Sequence, residues 1–236
     1  YNIYMYRKRR VFFSGIIATS LALGVYFYSQ SLPEPATLGV ENSSTEIGVT
    51  SSVEDASSEV IINILNSLRE TGHAPKTGYT RSQFGNGWAK KEGCDTRNTI
   101  LARDLTDIKM GDDCKVDSGV LNDPYTGTVI YFVRGSTTSS AVQIDHVVAL
   151  SNAWQTGAQQ LSEELRIELA NDPLNLLAVD GPANQAKSAG DAATWLPKYK
   201  PFRCQYITRQ IQVKQRYDLW VTPAEKQAMF AVLDKC

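Results

Sequence analysis

The chain has 236 residues, room for one sizeable domain with appendages but not for several domains. Hydrophobic residues make up 42% and charged residues 21%, an ordinary globular composition that excludes a disordered or fibrous chain. The net charge of −1 averages unlike parts. Residues 1–30 carry Arg7, Lys8, Arg9 and Arg10 and no acid, and residues 31–59 carry six acids and no base. Taken from the totals of 24 bases and 25 acids, this leaves residues 60–236 with 20 and 19.

From Val11 to Tyr28 the chain is apolar, broken only by small or hydroxyl residues. Eighteen residues at helical rise span about 27 Å, near the thickness of a bilayer core. The four bases just before it keep the N-terminus on the cytoplasmic side and send the rest outward. The segment is either a cleaved signal peptide or an uncleaved membrane anchor, and its length without a clear Ala-x-Ala site favours the anchor. Residues 31–55, rich in Ser, Thr, Glu and Pro, read as a solvated acidic linker. Three parts are therefore expected: a basic N-terminus with its apolar helix (1–30), the linker (31–55) and an extracytoplasmic domain (56–236).

Within the domain, Val60, Ile61, Ile64, Leu65 and Leu68 recur at helical spacing, which predicts a helix over 57–70 that Gly72 ends. Residues 79–95 are Gly-rich loop, and 96–105 read as a short helix or a buried segment. The Asp-, Gly- and Asn-rich stretch 111–127 is turn-like. Strands are predicted at 128–133 and 141–144, the second ending in Asp145-His146. A helix over 162–170 stops at Asn171-Asp172-Pro173, and a buried strand follows at 176–179. Gly181-Pro182 then turns the chain into a helix near 183–189. Residues 205–218 are helical in period, and Thr222-Pro223-Ala224-Glu225 is a capping box opening the last helix. There is no internal repeat, and the class is α+β with a small sheet.

All four cysteines, Cys94, Cys114, Cys204 and Cys236, follow the apolar stretch, and none sits in a C-x-x-C pair. That spacing argues against zinc and for disulfides, in keeping with export. Three connectivities are open. Pairing of sequence neighbours favours Cys94 with Cys114 and Cys204 with Cys236.

The stretch Gln143-Ile144-Asp145-His146-Val147-Val148-Ala149-Leu150 carries the chemistry. An apolar strand ends in Asp-His, and a second one, opened by Asn175, leads through Gly-Pro into a helix bearing Asn184 and Lys187. Phosphodiester hydrolysis needs a base for water and a cation to offset charge on the phosphorane and the leaving oxygen. Neutral imidazole suits the first task near pH 7, and a carboxylate with a carboxamide oxygen suits Mg²⁺. Mn²⁺ has similar preferences and is expected to substitute. Residues 187–216 add seven bases against one acid, Asp191, interleaved with Trp195, Tyr199, Phe202 and Tyr206. Such a stretch suits a nucleic-acid backbone, with a solvated helix face as the bland alternative. Lys187, Arg97, Lys198 and Arg203 are the candidate substrate contacts. The four tryptophans, Trp88, Trp154, Trp195 and Trp220, read as core.

Residues 142–188 resemble an HNH endonuclease of the ββα-metal (His-Me finger) type. The segments GYTRSQFG, CDTRN with its RDL, DPYTG, QIDHVVALSNAW and NDPLNLLAVDGPANQAKSAGDAATWLP make residues 79–236 similar to the secreted branch of the GmrSD C-terminal (DUF1524) HNH family. The resemblance implies a ββα-metal core with a small antiparallel sheet and surrounding helices, disulfide-stapled. It also implies Asp145 as a metal ligand, His146 as the general base, Asn184 as the second metal ligand and Asn175 as the brace that orients the histidine. DNA is the expected substrate, RNA a possible one, and 5′-phosphate ends the expected products. No protein partner is expected, and membrane contact arises only through residues 11–28 if they are retained. The reading of a different class is a non-catalytic, disulfide-stapled surface domain binding DNA or cell-wall polymer; such a domain has no need of the Asp145, His146 and Asn184 set.

Overall fold

The computed structural model describes residues 52–236. The apolar segment 11–28 and all but the last four residues of the expected linker lie outside them. Residues 52–55 are not linker: they open helix α1, Ser52–Ser67, which begins earlier than its apolar period. Among the described residues no helix is long and apolar enough to cross a membrane.

A short antiparallel pair, β1 (Lys90–Lys91) and β2 (Cys94–Asp95), leads into α2, Thr96–Asp104. Asp95 caps that helix, accepting from Asn98 N at 2.7 Å. Next come β3 (Thr106–Met110), β4 (Val116–Asn122) and β5 (Val129–Val133), an antiparallel sheet with β4 in the middle. The turn-like reading of 111–127 is corrected here, because residues 116–122 form the central strand. Asp117, Ser118 and Gly119 hide its alternation. Gly119 sits in a crowded spot: a Cβ there would come within 3.1 Å of the Thr106 carbonyl and of the Leu105 and Ile108 side chains, where β3 departs from regular register.

The second sheet has two strands, β6 (Val142–His146) and β7 (Leu176–Asp180), antiparallel with His146 opposite Leu176 and Val142 opposite Asp180. Between them run α3 (Leu150–Gln155) and α4 (Glu163–Asn171). After β7 come α5 (Gly181–Lys187), α6 (Arg203–Arg216) and α7 (Pro223–Leu233). The capping box on α7 is present, with Thr222 and Glu225 satisfying each other's backbone.

The β6–β7 pair is the centre of the molecule because each face meets a different core. Val142, Ile144, Leu176 and Ala178 pack with α2 and the three-stranded sheet. Leu177 and Val179 pack with α1, α6 and α7. Burial on both faces explains why β7 reads as an unbroken apolar run. A two-stranded sheet also leaves backbone groups open along both outer edges. On β7, Asp104 accepts from Ala178 N at 2.8 Å, Arg103 donates to the Leu176 carbonyl at 2.7 Å, and Asp123 accepts from Asp180 N at 2.8 Å. On β6, Arg97 donates to the Val142 carbonyl at 3.0 Å. Charged side chains thus complete the ladder that a third strand would otherwise complete.

Both expected disulfides form, Cys94–Cys114 and Cys204–Cys236, with Cα separations of 5.4 and 5.8 Å. The first ties β2 to the β3–β4 turn, and the second ties the start of α6 to the C-terminal residue.

Candidate active site

Successive side chains of a strand point to opposite faces, so Asp145 and His146 diverge. Asp145 enters the side of Tyr125 and Lys187. Tyr125 donates its hydroxyl to Asp145 Oδ2 at 2.5 Å, and the Lys187 ammonium lies 2.9 Å from the carboxylate and 2.8 Å from the His146 carbonyl. Burial raises the Asp145 carboxyl above its ordinary range, and Lys187 and Tyr125 pull it back. Burial and the neighbouring carboxylate push the Tyr125 hydroxyl far up, so it serves as a neutral donor.

His146 turns to the other side, where the Trp88 ring stacks on it at 5.7 Å and 14°. Its Nε2 lies 2.9 Å from the Ala170 carbonyl. A carbonyl only accepts, so Nε2 carries the proton and Nδ1 is the basic nitrogen. Burial drives the imidazole down to about 3, with Arg81 and Lys187 adding to the shift. The ring is therefore neutral at physiological pH.

Asn175 is fully buried and clamps the loop after β6. Its Oδ1 accepts from Val148 N at 2.8 Å, and its Nδ2 faces the Val148 and Leu169 carbonyls. Among the described residues no hydrogen bond joins its side chain to Asp145 or Asn184. Helix α5 brings up Asn184, whose Nδ2 donates to Gln143 Oε1 at 2.9 Å. The start of α5 presses against the loop before β6, where any Cβ on Gly181 would fall 2.1 Å from the Ser140 carbonyl.

Asp145, His146 and Asn184 share the wall of one open cleft of about 650 Å³ with Lys76, Tyr79, Arg81, Trp88, Arg97, Gln143 and Ser151. The strand–strand–helix arrangement thus gathers the three residues that the sequence singled out. Among the described residues no three His, Cys, Asp or Glu side chains form a metal group. The donors present are oxygens. Among the described residues no donor reaches Asn184 Oδ1, and the Asp145 carboxylate, with about four acceptor positions, keeps capacity beyond Lys187 and Tyr125. Such a set fits a hard cation that keeps several waters.

The structure places most of the substrate contacts read from the sequence in pairings within the protein. Lys187 is 2% exposed and neutralises Asp145, so it has no free charge for phosphate. Arg97 lines the cleft, but its guanidinium is spent on the Ser139 and Val142 carbonyls. Arg203 donates to the Pro197 carbonyl, and neither it nor exposed Lys198 lines the His146 cleft. Of the seven bases in the run 187–216, Lys198 and Lys200 are exposed and without a partner among the described residues, and the other five are engaged within the protein. Lys214 is buried against Glu225 at 3.0 Å, Arg209 donates to the Leu174 and Leu176 carbonyls, and Arg216 pairs with Asp172. Its aromatics Trp195, Phe202 and Tyr206 pack around Tyr125. The bland reading holds for the tryptophans except Trp88, which forms cleft wall. The sequence reading missed Tyr125, Trp88, Arg81 and Gln143 as site residues. Tyr125 stands in the quoted DPYTG segment, but nothing local links it to Asp145.

The sequence matches the family described as GmrSD restriction endonucleases, C-terminal domain, over residues 90–232. A protein of Arthroderma benhamiae named "Uncharacterized secreted protein" is 38% identical over 177 residues, covering 74% of this chain and 83% of that protein. No solved structure matches the chain.

Proposed function

Since the chain belongs to the GmrSD C-terminal domain family, a nuclease-related family, we propose that it is an exported, metal-dependent HNH endonuclease acting on DNA. The observation that carries the reading is the state of His146. It is a neutral imidazole, locked in one tautomer by the Ala170 carbonyl, in a cleft that also holds an acid and a carboxamide. The Ala170 contact occupies Nε2 and leaves the Nδ1 lone pair as the acceptor for a proton.

In this reading β6, β7 and α5 form a ββα-metal core. His146 Nδ1 takes the proton of a water whose oxygen attacks phosphorus, and the 3′-oxygen leaves and takes a proton from solvent. The products carry 5′-phosphate and 3′-hydroxyl ends. Mg²⁺, or Mn²⁺ in its place, would be held by Asn184 Oδ1 and Asp145 and would offset the charge on the phosphate and the leaving oxygen. Tyr125 and Lys187 fix the Asp145 carboxylate in a dry setting, and Asn175 fixes the loop that follows His146. Trp88 limits the ring's movement by stacking on it. Two disulfides and a relative named as secreted support an extracytoplasmic location.

Supercoiled plasmid with the purified chain tests this. Nicking with Mg²⁺ that stops in EDTA is the expected result. Salt-sensitive retention of the plasmid on a gel without any nicking, in Mg²⁺ or Mn²⁺, would replace the reading with that of a binding module.

A further inference from the structure

Nine arginines lie in the described residues, and eight are committed. Arg97, Arg103, Arg134, Arg166, Arg203 and Arg209 donate to carbonyls or side chains. Arg69 stacks over Trp220, and Arg216 pairs with Glu168 and Asp172. Of these nine, Arg81 alone has no side-chain hydrogen bond, no ion pair and no aromatic face among the described residues. It lines the His146 cleft, and it also lines a smaller recess of about 170 Å³ that shares His146, Trp88 and Leu150 with that cleft.

Its position is nevertheless fixed. Arg81 opens the short 3-10 turn Arg81–Phe84, which is docked onto α4. Phe84 is buried at 2% exposure, and Arg166 grips Gln83 twice, at its carbonyl (2.9 Å) and its Oε1 (3.1 Å). Gly85, at φ 93°, leaves the turn against Ile167, where a Cβ would lie 3.3 Å from the isoleucine side chain. The backbone is held while the guanidinium is free. An arginine left unpaired on a rigid support beside a basic imidazole is suited to a bidentate anion.

We propose that Arg81 is the phosphate-binding residue of the cleft, gripping a backbone phosphate of the nucleic acid and setting the scissile bond against His146. The proposal rests on the nuclease reading and gives its substrate a point of attachment. Lys76, which lies over the Tyr79 ring at 5.2 Å on the same wall, extends the anionic track beyond Arg81. The polymer is recognised by its phosphates, without base contacts, at this point.

Binding without turnover tests it. A fluorescent single-stranded decanucleotide in EDTA is titrated with the wild type, His146→Ala, Arg81→Ala and Arg81→Lys at several salt concentrations. Wild type and His146→Ala should bind alike. Arg81→Ala should lose about tenfold in affinity, and its dependence of log K on log salt should flatten by about 0.7, the loss of one phosphate contact on a single strand. Arg81→Lys should keep the slope and recover part of the affinity. Wild-type affinity and slope in Arg81→Ala would overturn the assignment of Arg81 while leaving the nuclease reading intact. No binding by any of the four proteins would overturn the nucleic-acid reading and this proposal with it.

Discussion

Lys187 shows how a side chain changes meaning once its surroundings are known. On the sequence it is a phosphate contact three residues beyond Asn184; in the fold its ammonium is the counter-charge that lets Asp145 stay buried. Lys187→Met should therefore leave an unpaired buried carboxylate and cost about 3 kcal/mol or more in urea denaturation. A phosphate contact would instead leave stability nearly unchanged and flatten the salt dependence of DNA binding. His146 gives a second, pH-dependent test. Its folded value of about 3 lies below the ordinary 6.5, so the unfolded chain binds the proton more readily. The associated stability is whole above pH 6.5 and drains away as pH falls from there towards 3. In EDTA, the wild type should lose about 2–3 kcal/mol relative to His146→Gln between pH 7.5 and 4.5. Parallel curves for the two proteins would mean that the imidazole is not held neutral.

Much of the site was legible because its parts are local. Asp145 and His146 end one strand, Asn175 opens the next, and Asn184 rides the helix directly after it, so short spacings carried the arrangement. What stayed hidden was long-range. Tyr125 reaches Asp145 from twenty residues away, and Trp88 and Arg81 line the cleft with His146 from 58 and 65 residues away. Charge counts misled over 187–216 because composition does not tell a solvated cation from one spent on a carbonyl; Arg209 and Lys214 are of the second kind. β4 was hidden by Asp117, Ser118 and Gly119, whose polarity and lack of bulk reflect the crowding by β3 more than any turn. The disulfides were legible because sequence neighbours paired. Cys204–Cys236 closes a span of 32 residues and clasps α6 to the chain end. The double substitution Cys204→Ser, Cys236→Ser should lower unfolding stability by about 3 kcal/mol by the loop-entropy estimate. An unchanged denaturation midpoint would show that α6 and α7 hold each other by the core and the Lys214–Glu225 pair alone.

For the molecule as a whole, a net charge of −1 gives no general attraction to nucleic acid. Recognition has to come from the cleft, where Lys76 and Arg81 stand on the wall and the one acid, Asp145, is already neutralised. The architecture serves that cleft. Two cores grip the β6–β7 pair from opposite faces, charged side chains close its edges, and the strand alternation sends an acid and a base to different surroundings within two residues. Whether His146 is the base of the hydrolytic site is decided by one comparison. Supercoiled plasmid is incubated in Mg²⁺ with the wild type and with His146→Ala, after circular dichroism has shown that both are folded. Loss of a general base costs about 10²–10⁴-fold, so the variant's nicking rate should fall by at least a hundredfold. A folded His146→Ala that nicks within a few-fold of the wild type would contradict the account.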